Sequence, residues 1–162
     1  IITQSGLVGE IVVKGRNVVE GYYKHTVELD NNKFDGDTFK TGDLGEKDED
    51  GYLYICGRAD HIINVGGKKV YPSEVEAVLA EEFPNANFAL SWMKDDVLGV
   101  VPVLCTTDDL NEFEIKEICS KKMESYKRPR KILKIKQLPK TSNGKIKRSE
   151  LSEMVEKLIN AN

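Results

Sequence analysis

The sequence predicts an α+β chain in two parts, a β-rich segment over residues 1–59 and a small mixed domain with three helices over residues 60–162. Three observations predict this. Residues 1–57 carry strand patterning between glycine-rich turns and no helical period. The character of the chain then changes at Gly57-Arg58-Ala59-Asp60. Beyond that point strand and helix periods alternate over about 100 residues, an ordinary domain size.

In the first part, GEIVVKG (9–15) alternates and is bounded by glycines, as a strand between turns should be. Val18-Val19, a turn at Gly21-Tyr22-Tyr23 and a polar loop through Asp37 follow. Then come Thr38-Phe39-Lys40, a compact Thr41-Gly42-Asp43 corner, an acidic hairpin turn at Asp48-Glu49-Asp50-Gly51 and a strand from Tyr52 to Cys56. This reads as part of a β barrel or meander, too short to close on itself. Left without packing partners, it is expected to be open to disorder, swapping or dimerisation.

In the second part, His61–Val65 and Lys68–Tyr71 flank Gly66-Gly67, a two-residue hairpin signal. Pro72 opens a helix with Glu74 and Glu76 in its first turn, and Val75, Val78, Leu79 and Phe83 form its buried stripe. Two strands are predicted at Ala86–Met93 and Leu98–Thr106, with Pro102 placing the second at an edge or bulge. Asn111 with Glu114 reads as a capping box, and Ile115, Ile118, Cys119 and Lys122 or Met123 face inward. Lys131–Lys136 alternates as a strand. The last helix begins near Ser149, with Leu151, Met154, Val155, Leu158 and Ile159 at helical spacing.

Composition narrows the function. The 162 residues are 40% hydrophobic and open on Ile1-Ile2, which reads as the middle of a longer protein. No apolar run approaches the roughly 20 residues that span a bilayer, and no basic-plus-apolar leader is seen. Cys56, Cys105 and Cys119 fit neither a disulfide framework nor a zinc pattern, so the reducing cytoplasm is expected. His25 and His61 stand alone, which speaks against a metal site or a histidine triad. The net charge of −3 conceals an asymmetry: residues 121–148 hold twelve Lys/Arg and one acid, a net +11, leaving −14 elsewhere. A basic block on an acidic chain indicates a local polyanion site or a solvated positive surface.

The centre of that block is LPKTSNGKIKR (138–148). Lys145 follows Asn143-Gly144, residues that tolerate left-handed backbone, and Lys140, Lys147 and Arg148 surround it. Such a loop can deliver an ammonium to phosphate, or can be a basic turn before a helix.

Four motifs stand in order: FKTGDL (39–44), GRADHIINVGGKKVYPSEVE (57–76), YKRPRKI (126–132) and LPKTSNGKIKR. They resemble the C-terminal motifs of the adenylate-forming enzymes, which include acyl-CoA synthetases, peptide-synthetase adenylation domains and luciferases. GEIVVKGRNVVEGYY (9–23) is similar to the motif that precedes them. The resemblance implies that residues 1–59 end a larger N-terminal domain and that 60–162 form a mobile lid. Asp43, with Thr41, would bind the nucleotide, the carboxylate accepting from the ribose hydroxyls of ATP. Arg58 would also reach the nucleotide; a surface ion pair is the alternative. Asp60 would be the hinge. Gly66 and Gly67 would border the pantetheine channel of CoA, with Lys68 or Lys69 near a CoA phosphate. Lys145 would be the catalytic lysine, stabilising charge as a carboxylate attacks the α-phosphate and pyrophosphate leaves with Mg2+. After rotation of the lid, a thiol would attack the acyl-adenylate.

The phosphate loop and acyl pocket of that family are absent from the sequence. The resemblance therefore implies an ATP-dependent, AMP-forming carboxylate–CoA ligase whose ATP, acid and CoA sites depend on a missing N-terminal domain, and which is inactive as this piece. Fatty, aryl and succinylbenzoate-like acids all remain open. GGKKVYPSEVE favours a CoA ligase over an enzyme that loads a carrier-protein phosphopantetheine thiol. A non-catalytic nucleic-acid module is a further alternative, but Tyr126 is the one aromatic in the basic block.

Overall fold

The computed structural model describes residues 6–19, 21 and 33–161. The predicted Tyr22-Tyr23 turn and most of the polar loop after it lie outside the described residues. The chain separates into two compact units that meet between Asp60 and His61.

The first unit is a four-stranded antiparallel sheet: β1 (Val8–Lys14), β2 (Phe34–Asp35), β3 (Thr38–Lys47) and β4 (Leu53–Arg58). The long β3 pairs with β1 along one edge, while β2 and β4 share the other. The acidic turn closes the β3–β4 hairpin: Gly51 N donates to Asp48 O, Asp48 N to Tyr52 O, and Tyr52 N to the Asp48 carboxylate at 2.8 Å. Leu44 is the one buried hydrophobic side chain of this unit among the described residues. Val12, Leu53, Tyr54 and Ile55 are exposed, the last at 73%.

The second unit is a five-stranded sheet between helices. Its strands are β5 (Ile63–Val65), β6 (Lys68–Val70), β7 (Phe88–Asp95), β8 (Gly99–Thr106) and β9 (Lys131–Lys134). The helices are α1 (Pro72–Glu82), α2 (Glu112–Lys122) and α3 (Arg148–Asn160). The order is β6-β5-β8-β7, with β9 parallel to β8 and the other pairs antiparallel. The mixed sheet and three helices establish the α+β class. Strand alternation sorts the core into two layers. Leu90 and Leu104 join Val75 and Leu79 of α1 and Ile115 and Cys119 of α2. Ala89, Val103 and Cys105 on the opposite face meet Leu151 and Val155 of α3.

The helix stripes follow the predicted spacing, with Val78 and Phe83 half-buried beside Val75 and Leu79. Met123, not Lys122, faces the core; Lys122 pairs with Glu81 and Glu82. Leu158 departs from its predicted role and is exposed, because Met154 and Ile159 complete the α3 contact. Asn111 caps α2, its side-chain oxygen accepting from Phe113 N and Glu114 N. At the other end Arg128 donates to Met123 O and Ser120 O, satisfying carbonyls that a helix terminus leaves open.

Pro102 requires a correction. β8 is the central strand, not an edge, and Pro102 is fully buried in it opposite Trp92. Its carbonyl accepts from Arg130 N at 2.8 Å, so its nitrogen faces the same side of the strand. On that side β5 pairs at Gly99 and β9 begins at Val103. The missing donor falls between the two neighbours and costs no ladder bond.

Candidate functional site

Each unit presents its own candidate site. In the first, Thr41, Asp43, Arg58 and Asp60 converge, although the last two are separated from the first two by the hairpin. Asp43 and Arg58 are the terminal register pair of β3 and β4. Arg58 Nη1 donates to Asp43 Oδ1 at 3.2 Å and to Thr41 O at 3.3 Å. Its Nε and Nη2 donate to the two Asp60 oxygens at 3.1 and 3.2 Å. The Asp60 hydrogen bond is the main reason the guanidinium pKa lies above its ordinary value, with Asp43 adding to it.

The Thr41 hydroxyl donates to Ile11 O at 2.8 Å and accepts from Asp43 N at 3.0 Å, so it sets the corner from both sides. Between them Gly42 adopts φ +78°, and a Cβ there would stand 3.0 Å from Arg58 Nη2. The glycine thus lets the guanidinium lie against the corner. Asp43 keeps 41% of its side chain exposed, leaving a carboxylate able to accept further donors such as a vicinal diol.

In the second unit, Lys145 stands on a small hairpin. Lys140 and Ile146 bridge its base, and Lys147 N donates to Pro139 O. Thr141 locks the tip: its N donates to Lys145 O at 2.8 Å, and its hydroxyl accepts from Lys145 N at 3.2 Å. Gly144 turns the chain at φ +80°. The Lys145 side chain is exposed, and no ion pair engages it among the described residues.

Part of the surrounding charge is neutralised in a way its sequence density does not suggest. Lys121 pairs with Glu117, Lys127 with Glu74 and Glu124, Lys134 with Asp109, and Lys147 with Glu150. Arg148, predicted as part of the positive loop, forks onto Glu76, Nη1–Oε1 and Nη2–Oε2 both at 2.7 Å. These pairs break up the uniform positive surface, while Lys145 and Lys140 of the hairpin stay outside every ion pair among the described residues.

Gly66-Gly67 forms the predicted two-residue hairpin between β5 and β6, with φ +55° and +86° and Val65 opposite Lys68. Lys68 lies over the Tyr126 ring, 4.7 Å from its centre. Lys127 lies 5.7 Å from the same ring and bonds Glu74 at 2.5 Å. Burial works to lower the Lys127 pKa, but hydrogen bonds to Glu74 and Glu124 outweigh it and raise it. Sequence reasoning missed the roles of Tyr126, Glu74 and Glu76. All three stand inside quoted motifs, but the partners that matter, Lys68 for Tyr126, Lys127 for Glu74 and Arg148 for Glu76, are distant in the chain.

Among the described residues no group of three or more His, Cys, Asp or Glu could hold a metal ion. No helix there is long and apolar enough to cross a membrane.

Residues 74–145, from the first turn of α1 to the hairpin lysine, match the family model of the AMP-binding enzyme C-terminal domain. That match lies wholly within the second unit. It is 37% identical over 147 residues to a 2-succinylbenzoate–CoA ligase of Listeria monocytogenes, which takes in 90% of this chain and 31% of that protein. The enzyme of the same name from Bacillus velezensis is 36% identical over 148 residues, 90% of this chain and 30% of its own length. Among solved structures, o-succinylbenzoate CoA synthetase from Bacillus subtilis with its acyl-adenylate intermediate aligns at a TM-score of 0.80 and 33% identity, over 91% of this chain and 31% of that one. The anthranilate CoA ligase AuaEII with anthranoyl-AMP aligns at 0.81 and 32%, over 98% of this chain and 32% of that one. The resemblance to adenylate-forming enzymes drawn from the motifs therefore holds. The chain spans about a third of the length of these relatives.

Proposed function

We propose that this chain is the C-terminal part of an AMP-forming carboxylate–CoA ligase, with 2-succinylbenzoate as the first acid to try. One observation carries the reading: the family match runs into a locked hairpin that presents Lys145 as an unpaired, exposed cation. The ligase names of the relatives, over 90% of this chain, favour CoA as the thiol over a carrier protein.

The chemistry assigned to each residue follows from its setting. Lys145 carries a compact charge that moves no proton, suited to bridging a carboxylate nucleophile and the α-phosphate as negative charge accumulates. Asp43, held by Thr41 and Arg58, accepts from the ribose hydroxyls. Arg58 both reaches the nucleotide and ties the corner to Asp60, the residue we assign as the hinge. The positive-φ glycines 66 and 67 expose backbone for close approach by pantetheine, and Lys68 lies beside them for a CoA phosphate. Magnesium, bound, would shield the departing pyrophosphate; no residue here is assigned to hold it. The 162 residues alone are expected to release no pyrophosphate from ATP.

The test is carboxylate-dependent exchange of pyrophosphate into ATP by the longer enzyme, with 2-succinylbenzoate and with a fatty acid. Lys145→Met should cut the exchange rate by on the order of 100- to 1,000-fold, the usual cost of one electrostatic donor to a transition state. An undiminished rate would sink the reading.

A further inference from the structure

We propose that Arg148 is a positioning residue for Lys145 and no ligand of phosphate, acting through a bidentate bond to Glu76 that fastens the hairpin to α1 and β7. This rests on the adenylation role given to Lys145 above.

Arg148 ends the same basic motif as Lys145, yet its guanidinium is turned inward. Nη1 donates both to Glu76 Oε1 and to Leu90 O, each at 2.7 Å, and Nη2 donates to Glu76 Oε2 at 2.7 Å. Glu76 Oε1 also accepts from Leu90 N at 2.7 Å, closing a ring through α1, β7 and the first residue of α3. The two side chains are only 20% and 21% exposed. A planar fork matched to a carboxylate in this way fixes direction as well as distance, which an ammonium cannot do.

The hairpin is fastened at both ends. On its entry side Leu138 is buried among Val103, Leu151 and Val155. On its exit side Ile146 rests on the same cluster, and Arg148 follows three residues after Lys145. Between these anchors Thr141 and the Lys140–Ile146 bridge hold only the hairpin's own shape. Leu138 and Ile146 hold the base by apolar contact, which carries little direction; the Arg148 fork adds a directional tie, and a small misplacement of a reacting group is costly in rate.

Two measurements test this. In the 162-residue chain, Arg148→Lys should speed amide exchange at Lys145 and Lys147 by on the order of tenfold while β7 and β8 keep their protection. Glu76→Gln, which keeps the shape and an acceptor for Leu90 N, should act in the same direction. Unchanged exchange at the hairpin, or protection lost throughout the unit in both variants, would overturn the proposal. In the longer enzyme Arg148→Lys should lower kcat for adenylation by on the order of 100-fold with little change in KM for ATP. The loss should vanish in a Lys145→Ala background, since a residue acting through Lys145 has nothing left to aim. Equal losses in both backgrounds would also overturn it. Lys145→Ala with a normal adenylation rate would instead remove the reading of Lys145 itself, and the proposal with it.

Discussion

The Gly66-Gly67 hairpin allows two neighbouring substitutions to be compared from geometry alone. Both glycines have positive φ, +55° and +86°, so alanine at either position meets the left-handed penalty of about 1–2 kcal/mol. They differ in space. A Cβ on Gly66 would stand 2.9 Å from Leu98 Cδ2, whereas nothing lies within 4 Å of one on Gly67. Leu98 packs against the main core cluster, so moving its side chain off a favoured rotamer adds about 0.5–1.5 kcal/mol. Gly66→Ala should therefore cost about 1.5–3.5 kcal/mol and Gly67→Ala about 1–2. Asparagine, which tolerates this backbone region, should recover part of the loss at position 67. Urea unfolding followed by the fluorescence of Trp92, the single tryptophan, reads the second unit directly. With a slope of about 1–3 kcal/mol per molar, the two midpoints should differ by several tenths molar. A Gly67→Ala loss equal to or larger than that of Gly66→Ala would refute the reasoning.

Three further outcomes are expected. Leu151→Ala, which empties a fully buried position between α3 and the sheet, should cost about 2–5 kcal/mol in the same urea experiment. A maleimide should label Cys56 in the native chain well before Cys105, whose thiol is buried and pushed up to about 12; mass mapping of early adducts checks the order. The Asp95 carboxylate, which accepts from Leu98 N and Val97 N, is held below its ordinary pKa. Its contribution is therefore present at neutral pH and lost as the pH falls below about 4. In Asp95→Asn the acid side of the stability profile should be flatter, as thermal unfolding at stepped pH would show.

Features fixed by neighbouring residues were legible in the sequence. Gly66-Gly67, Pro72, the Asn111 cap and the 48–51 turn each depend on atoms a few positions away, and each stands where its local chemistry puts it. Pro102 was misread because its tolerance depends on which strands flank β8, and those lie at residues 63–65 and 131–134. Lys145 was legible by its motif, but the pairing of the cations around it was not. Arg148 meets Glu76 across 72 positions, a separation that no period or spacing reveals. Charge density in a chain does not report charge density in space.

That long reach has a consequence for synthesis. Strands β5 to β8 and helix α1 can assemble as soon as residue 106 is free, but the Glu76 carboxylate, tucked against Leu90, then lacks its cation. At about 5–20 residues per second, Arg148 is made roughly 2–8 s after Thr106. Until it docks, α1 carries a partly dehydrated negative charge with one amide to hold it. The last helix of the unit to be translated thus supplies, from its first residue, the cation that makes the first helix electrostatically whole.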